Sequence, residues 1–276
     1  MSLKKPLATG TFRRGALPLG LSLIHIYPVF LYSGELADYH VKNWMDLQSA
    51  GPDHIIIHQN KYEQESFSLD NDTIEKINRW YGDRAYIFDN TVLDADMEET
   101  ESLTKTIESS IQRYGIKMVC IDNLMTAMDA MPGEDFYQAQ SQFVKQLKKL
   151  AVKYDVVVIL VAHPRKTKEA ISNDDVSGSS DITNRVDVVL SYSRDENNSG
   201  WDGTLSVLKN RLTGKLTPKG QEIKLLYSGK SKRIRPASSD KGKVYGWEMK
   251  ERMQLMNLDN MKSFHMEEWE DLTDEL

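Results

Sequence analysis

Three short apolar runs in this chain end on residues able to do chemistry. Asp122 follows "MVCI", His163 follows "VVVILVA", and Glu35 stands two residues past "VFLYS" in "LYSGEL". An ionised carboxylate at the end of an apolar run is costly unless a cation or good hydrogen-bond donors answer it. Singly, each residue has an ordinary explanation: a strand-end Asp caps a turn, a His satisfies an edge, a Glu is solvated. Jointly, two carboxylates and an imidazole aimed at one edge are the parts of a metal and nucleotide site. Phosphoryl transfer to water needs a cation against the phosphate charge, a group that orients the water and a sensor of the terminal phosphate. Asp122 suits the Mg²⁺ shell, Glu35 the water, and His163 the γ-phosphate.

Two further stretches carry clustered cations. His163 leads into "PRKTKEAISNDDVSGSSD", where Arg165, Lys166 and Lys168 suit a phosphate backbone. A connection of about 20 residues in a compact domain is functional or disordered, and a solvated loop is the plain alternative. In "LSVLKNRLTGK" a strand delivers Lys209 and Arg211 on alternate positions, hence to one side. Two cations so placed fit groups that reach a γ-phosphate, in a ring that of the neighbouring subunit. The alternative is a basic edge strand that discourages aggregation. The run "GKSKRIRP" (229–236) reads either as a contact to nucleotide or DNA or as a solvated hairpin end.

The elements that must position these residues alternate between short β-branched runs and longer helical stretches, the pattern of a mostly parallel sheet covered by helices. Strands are expected at 29–33, 54–58, 84–89, 117–122, 156–163, 187–193, 203–210 and 222–228. Between them, Asp38 and Asp70 stand where helix N-caps belong, and "MEETESLTKTIESSIQRYG" ends on Gly115 as a helix terminus should. In "EDFYQAQSQFVKQLKKLAVKY" the spacing of Phe136, Phe143, Leu147, Leu150 and Tyr154 marks a buried helix face. In an open parallel sheet the ligand crevice lies beyond the strand ends, where Glu35, Asp122 and His163 fall.

Composition bounds the reading. The chain of 276 residues is 40% hydrophobic, enough for one good α/β core with appendages. The net charge of −6 argues against a uniformly basic nucleic-acid coat and leaves room for a local basic channel. The single cysteine, Cys120, offers neither disulfide nor metal cluster and fits a reducing compartment. No apolar run approaches the roughly 20 residues that span a bilayer, so a soluble protein without a membrane partner is expected. After Pro236 the chain turns polar and closes on the acidic "HMEEWEDLTDEL".

The order "LYSGEL", "MVCIDNLMTAM", "VVVILVAHPRK", "VSGSSDITNRVDVVLSYSRD", "LSVLKNRLTG" and "GQEIKLLYSGKSKRI" resembles the RecA-type motor domain of hexameric replicative DNA helicases, the DnaB, Twinkle and phage helicase-primase group. The resemblance covers 28–236 and leaves 1–27 as an aberrant start and 237–276 as an appendage. It implies a RecA-like P-loop NTPase core with antiparallel strands toward the C-terminal end. It also implies ATP and Mg²⁺ as cofactors, single-stranded DNA as partner, assembly into a hexameric ring, and the cytoplasm of a bacterial or phage-infected cell. By resemblance, Glu35 is the catalytic glutamate, Asp122 the Walker B aspartate, and His163 the γ-phosphate sensor. Lys209 and Arg211 are then the trans-acting lysine and arginine finger, and the loops after Asp122 and His163 are the DNA loops.

One departure stands against this. The phosphate loop G-x-x-x-x-G-K-[ST], whose backbone amides and lysine hold the β- and γ-phosphates, is absent. "GTFRRGAL" spaces Gly10 and Gly15 correctly but continues with Ala16, and "GALPLGLS" spaces Gly15 and Gly20 correctly but has Leu21 in place of the lysine. No residue is therefore expected to form that cradle, and nucleotide binding is expected to be impaired. A RecA-like DNA-binding or assembly module without turnover, and a recombinase-type ATPase, remain as alternatives.

Overall fold

The computed structural model describes residues 27–89, 99–128, 136–163, 180–195, 199–238 and 245–248. The chain divides into two compact units, Met1–Gly242 and Lys243–Leu276; of the second, residues 245–248 are described, and every element below belongs to the first.

In chain order the elements are β1 (Val29–Ser33), α1 (Asp38–Ala50), β2 (Ile56–Gln59), β3 (Glu65–Ser68), α2 (Asn71–Tyr81), β4 (Ala85–Ile87), α3 (Glu99–Tyr114), β5 (Met118–Asp122), α4 (Phe136–Tyr154), β6 (Val157–Leu160), α5 (Ser180–Arg185), β7 (Val188–Arg194), β8 (Gly203–Asn210), β9 (Ile223–Tyr227) and β10 (Ile234–Pro236). Strands β4, β1, β5 and β6 form a parallel sheet in that order, and β10, β9, β8 and β7 an antiparallel one. The α/β class with antiparallel strands toward the C-terminal end is thus what the chain adopts.

Strand β1 is buried at all of its positions and β5 through Ile121, as in a sheet covered on both faces. One apolar cluster joins Phe30, Val119 and Ile121 of this sheet to Leu103 and Ile107 of α3 and to Phe143, Leu147 and Leu150 of α4. The expected face of α4 is therefore core at those three positions, with Tyr154 partly buried against the cluster; the Phe136 side chain lies outside the described residues. Among the described residues no helix is long and apolar enough to cross a membrane.

Helix ends follow local chemistry. Asp70 caps α2: its Oδ1 accepts from the Thr73 amide at 2.8 Å and its Oδ2 from the Thr73 hydroxyl at 2.7 Å. Gly115 ends α3 at φ 63°, its amide donating to Ile111 O at 3.1 Å. Asp38 is not the cap expected of it. Ala37 occupies that position without a side-chain bond, and Asp38 lies in the first turn, where its charge still meets the positive end of the helix dipole.

The stretch expected as a strand at 54–58 leaves the main sheet. Residues 56–59 pair antiparallel with β3 in a separate hairpin, with Ile56 and Ile57 exposed by 42% and 46%. Its turn is organised by Asn60, whose Oδ1 accepts from the amides of Tyr62 at 2.9 Å and Gln64 at 3.0 Å. A short apolar run carries no information on which partner it will find, and β3, made of Glu, Ser and Phe, carries too little β signal to announce itself. Strand β6 ends at Leu160, three residues before His163, and so falls short of the strand expected over 156–163.

The antiparallel sheet is tied to the helices through their C-terminal carbonyls. Lys209 donates to Thr183 O, and Arg211 Nη2 to Asn184 O at 2.8 Å, at the end of α5. Arg233 donates to Gln48 O at 2.6 Å and Ser49 O at 3.3 Å, at the end of α1. Unpaired carbonyls at the negative pole of a helix are natural acceptors for such cations. Arg233, in the basic run at 229–236, is thus a helix-end ligand.

Two substitutions separate core from cap. Phe143→Ala is expected to cost about 3–5 kcal/mol and Asp70→Ala about 1 kcal/mol, both read as midpoint shifts in urea unfolding at constant slope.

Candidate functional site

The strand register builds the rim. Ser33 pairs with Asp122 and Ile121 with Leu160, so β1 and β5 end level and β6 stops within a residue of them. The turns after these strands then carry Glu35, Asn123 and His163 to one place. His163 Nε2 lies 3.1 Å from Glu35 Oε1 and 3.0 Å from Asn123 Nδ2, and Asn123 Nδ2 donates to Glu35 Oε1. With Nε2 unprotonated, the two amide hydrogens of Asn123 serve both neighbours. With a proton on Nε2, the imidazole donates to Glu35 directly.

Asn123 is the residue that sequence reasoning missed. It is completely buried, and its Oδ1 accepts from the amides of Met125 at 2.8 Å and Thr126 at 3.2 Å. These two bonds aim its amide nitrogen toward Glu35 and His163. The available signal was its place between Asp122 and Leu124, directly after the strand carboxylate and before a residue that is also completely buried.

Asp122 is half-buried beside this trio. Burial holds its carboxyl above the ordinary carboxylate range, and the negative charge of Glu35 adds to the effect; His163 and a hydrogen bond from Ser33 act the other way. A divalent cation at this carboxylate would relieve both the burial cost and the repulsion from Glu35, so the donor chemistry fits Mg²⁺. Among the described residues no group of three or more His, Cys, Asp or Glu forms a metal cage. Mg²⁺ needs none, because one or two carboxylates, substrate phosphates and retained waters usually complete its octahedron.

The turns after β1 and β5 interlock. Gly34 donates its amide to Asp122 O at 2.7 Å, while a Cβ on Gly34 would stand 2.2 Å from Thr126 Oγ1 and 2.4 Å from Thr126 Cβ. The glycine of "LYSGEL" is there because the Thr126 turn leaves no space for a side chain.

Lys209 and Arg211, expected on one side of β8, do converge, and what they converge on is the carbonyl end of α5. Burial, then the charge of Arg211, lowers the Lys209 ammonium below its usual range. Arg165, Lys166 and Lys168 lie outside the described residues, as do Gly10, Gly15 and Gly20 of the two incomplete glycine spacings.

Among known proteins, the AAA domain family matches residues 70–169. Comparison of the sequence with curated proteins finds no match. A DnaB-like replicative helicase, solved in a study of its interactions with primase, superposes with a TM-score of 0.55 at 17% identity, covering 75% of this chain and 50% of its own. This chain thus spans about half the length of that helicase. An ATPase domain solved on its own gives 0.58 at 16% identity, covering 81% and 82%. The RadB recombinase gives 0.51 at 13%, covering 84% and 94%.

Two substitutions test the rim. Gly34→Ala is expected to destabilise by about 1–3 kcal/mol through overpacking against Thr126. Asp122→Asn is expected to stabilise the nucleotide-free protein by roughly 1 kcal/mol, because it removes a half-buried charge facing Glu35. Thermal unfolding of the two variants should therefore shift in opposite directions. By its architecture, the described core has a RecA-like fold, shared with the DnaB-like replicative helicase and the RadB recombinase.

Proposed function

We propose that this chain is a motor domain of the replicative DNA helicase type, in which Mg²⁺-ATP hydrolysis drives movement along single-stranded DNA. The observation that carries the reading is the contact of Glu35, Asn123 and His163 beside a half-buried Asp122, on the rim where a parallel sheet takes its ligands. In this reading Asp122 holds the Mg²⁺ that accompanies ATP, and bound there the ion neutralises charge on the transferring phosphate. Glu35 orients the attacking water and takes its proton, and the buried Asn123 keeps the carboxylate aimed. His163 meets the γ-phosphate. Because Nε2 also touches Glu35, occupation by phosphate is felt by the base and sensor together.

Lys209 and Arg211 would serve the nucleotide of the next subunit in a hexameric ring, which requires them to exchange the α5 carbonyls for phosphate oxygens. Arg165, Lys166 and Lys168 would meet the DNA backbone. The setting is the cytoplasm of a bacterial or phage-infected cell.

The missing glycine-lysine loop favours a second reading, a RecA-like DNA-binding or assembly module without turnover. A titration bears on the missing loop, and a hydrolysis assay decides between the two readings. Mg²⁺-ATP titration should give weak binding, and sub-micromolar affinity would show that the phosphates are held by residues other than a conventional loop. At saturating Mg²⁺-ATP with single-stranded DNA, hydrolysis should exceed background and fall about 100-fold or more in Glu35→Gln, with nucleotide affinity kept. Absence of turnover in the unmodified chain would rule out the motor reading in favour of the module.

A further inference from the structure

We propose that the open edge of β6 is the docking site of residues 17–23 of this same chain, laid along it as an antiparallel strand. This goes beyond the rim chemistry and needs neither nucleotide nor turnover. The two edges of the parallel sheet differ. At one edge β4 is buried at all of its positions. At the other, β6 reads Val-Val-Ile-Leu, yet none of its residues is buried and Val157 is exposed, while Val119, Cys120 and Ile121 of the adjacent β5 are wholly enclosed. Val158 and Leu160 pack against the apolar cluster and are still only partly buried. The backbone is open on the same side. Val157 and Val161 donate their amides toward β5, to Lys117 O and Ile121 O, each at 2.9 Å, which turns the amides and carbonyls of Val158 and Leu160 the other way. Among the described residues no strand pairs there. Such an edge is a template for one more strand, and its side chains select an apolar one.

Three observations favour this occupant. First, the segment has a strand's period: Leu17, Leu19, Leu21 and Leu23 alternate with Pro18, Gly20 and Ser22, presenting four leucines to one face. Second, its proline suits an edge. With the nitrogen of Pro18 on the outer side, where no donor is needed, the amides of the four leucines all turn toward β6. Third, the reach fits. Pro28 O accepts from Lys117 N and Lys117 O from Val157 N, so the chain enters β1 at the end of the sheet where β6 begins. A strand outside β6 stands three strand spacings from β1, about 14 Å. From Leu23 to Pro28 the chain spans up to about 16 Å. That is enough for a strand ending at this end of the sheet, antiparallel to β6, and too little for one ending at the far end. The added strand would hold β6 from its outer side, and with it the turn that carries His163.

The test is amide hydrogen exchange of the whole chain, resolved by NMR and without nucleotide. In the unmodified chain Val158 and Leu160 are expected to exchange slowly. In a Leu19→Asp/Leu21→Asp variant their exchange should quicken about 100-fold or more, while Val119 and Ile121 in β5 keep their protection and report an intact core. Should the aspartates unfold the chain, Leu21→Pro, which removes one inward amide and little else, gives the same reading. Rapid exchange of Val158 and Leu160 in the unmodified chain, or unchanged protection in the variants, would overturn the proposal. So would protection that rises with protein concentration, which would assign the edge to a second copy of the chain.

Discussion

A wholly buried asparagine amide, held on one side and extended on the other, is the interaction on which the rim depends. The Asn123 oxygen is committed to two backbone amides of its own turn, and its nitrogen reaches Glu35 and His163. A carboxylate and an imidazole on separate turns would otherwise sample many rotamers, each long side chain losing up to about 2 kcal/mol of freedom when ordered. The asparagine bonds both from a position that is itself buried and hydrogen-bonded within its own turn. It does so only because the parallel register ends β1 and β5 at the same level, and because Gly34 lets the two turns touch.

A second constraint links the antiparallel sheet to the parallel core. Lys209, Arg211 and Arg233 all serve carbonyls at helix C-termini, the first two residues on α5 and Arg233 on α1. Helix ends need such donors wherever water is scarce. Residues that read as phosphate-seeking cations are therefore built into the packing of this conformation. Any reach of Lys209 and Arg211 toward a phosphate competes with the C-terminal carbonyls of α5. That competition gives α5, which comes after the segment that His163 opens, a physical connection to both of them.

Much of the architecture was readable because it rests on local chemistry. Asp70 and Gly115 mark helix ends by hydrogen-bonding and φ preferences that depend on a few neighbours. Phe143, Leu147 and Leu150 mark a buried face by helical period, and "GTLSVLKN" is β8 residue for residue. The convergence of Glu35, Asp122 and His163 was also legible, since parallel strands deliver their C-terminal turns to one edge of the sheet. The hairpin of β2 and β3 was not, because its partner choice is set by the Asn60 turn and not by its own composition.

By itself, then, the amino-acid sequence determined most of the strands and longer helices and which polar residues end the apolar runs, because propensity, capping and periodicity act over a few residues. Only the tertiary structure decided who meets whom. Lys42 looks like a solvated helix lysine, yet it is buried, its ammonium 2.7 Å from Asp46 Oδ1 and 2.5 Å from Asn78 Oδ1. The run around β6 reads as a strand buried on both sides, yet β6 is the last strand of the parallel sheet among the described residues, with Val157 55% exposed. Asn123 reads as a turn residue, yet it joins Glu35 to a histidine 40 positions away. Contacts between residues distant in the chain depend on register, burial and shape, and no local pattern of side chains encodes these.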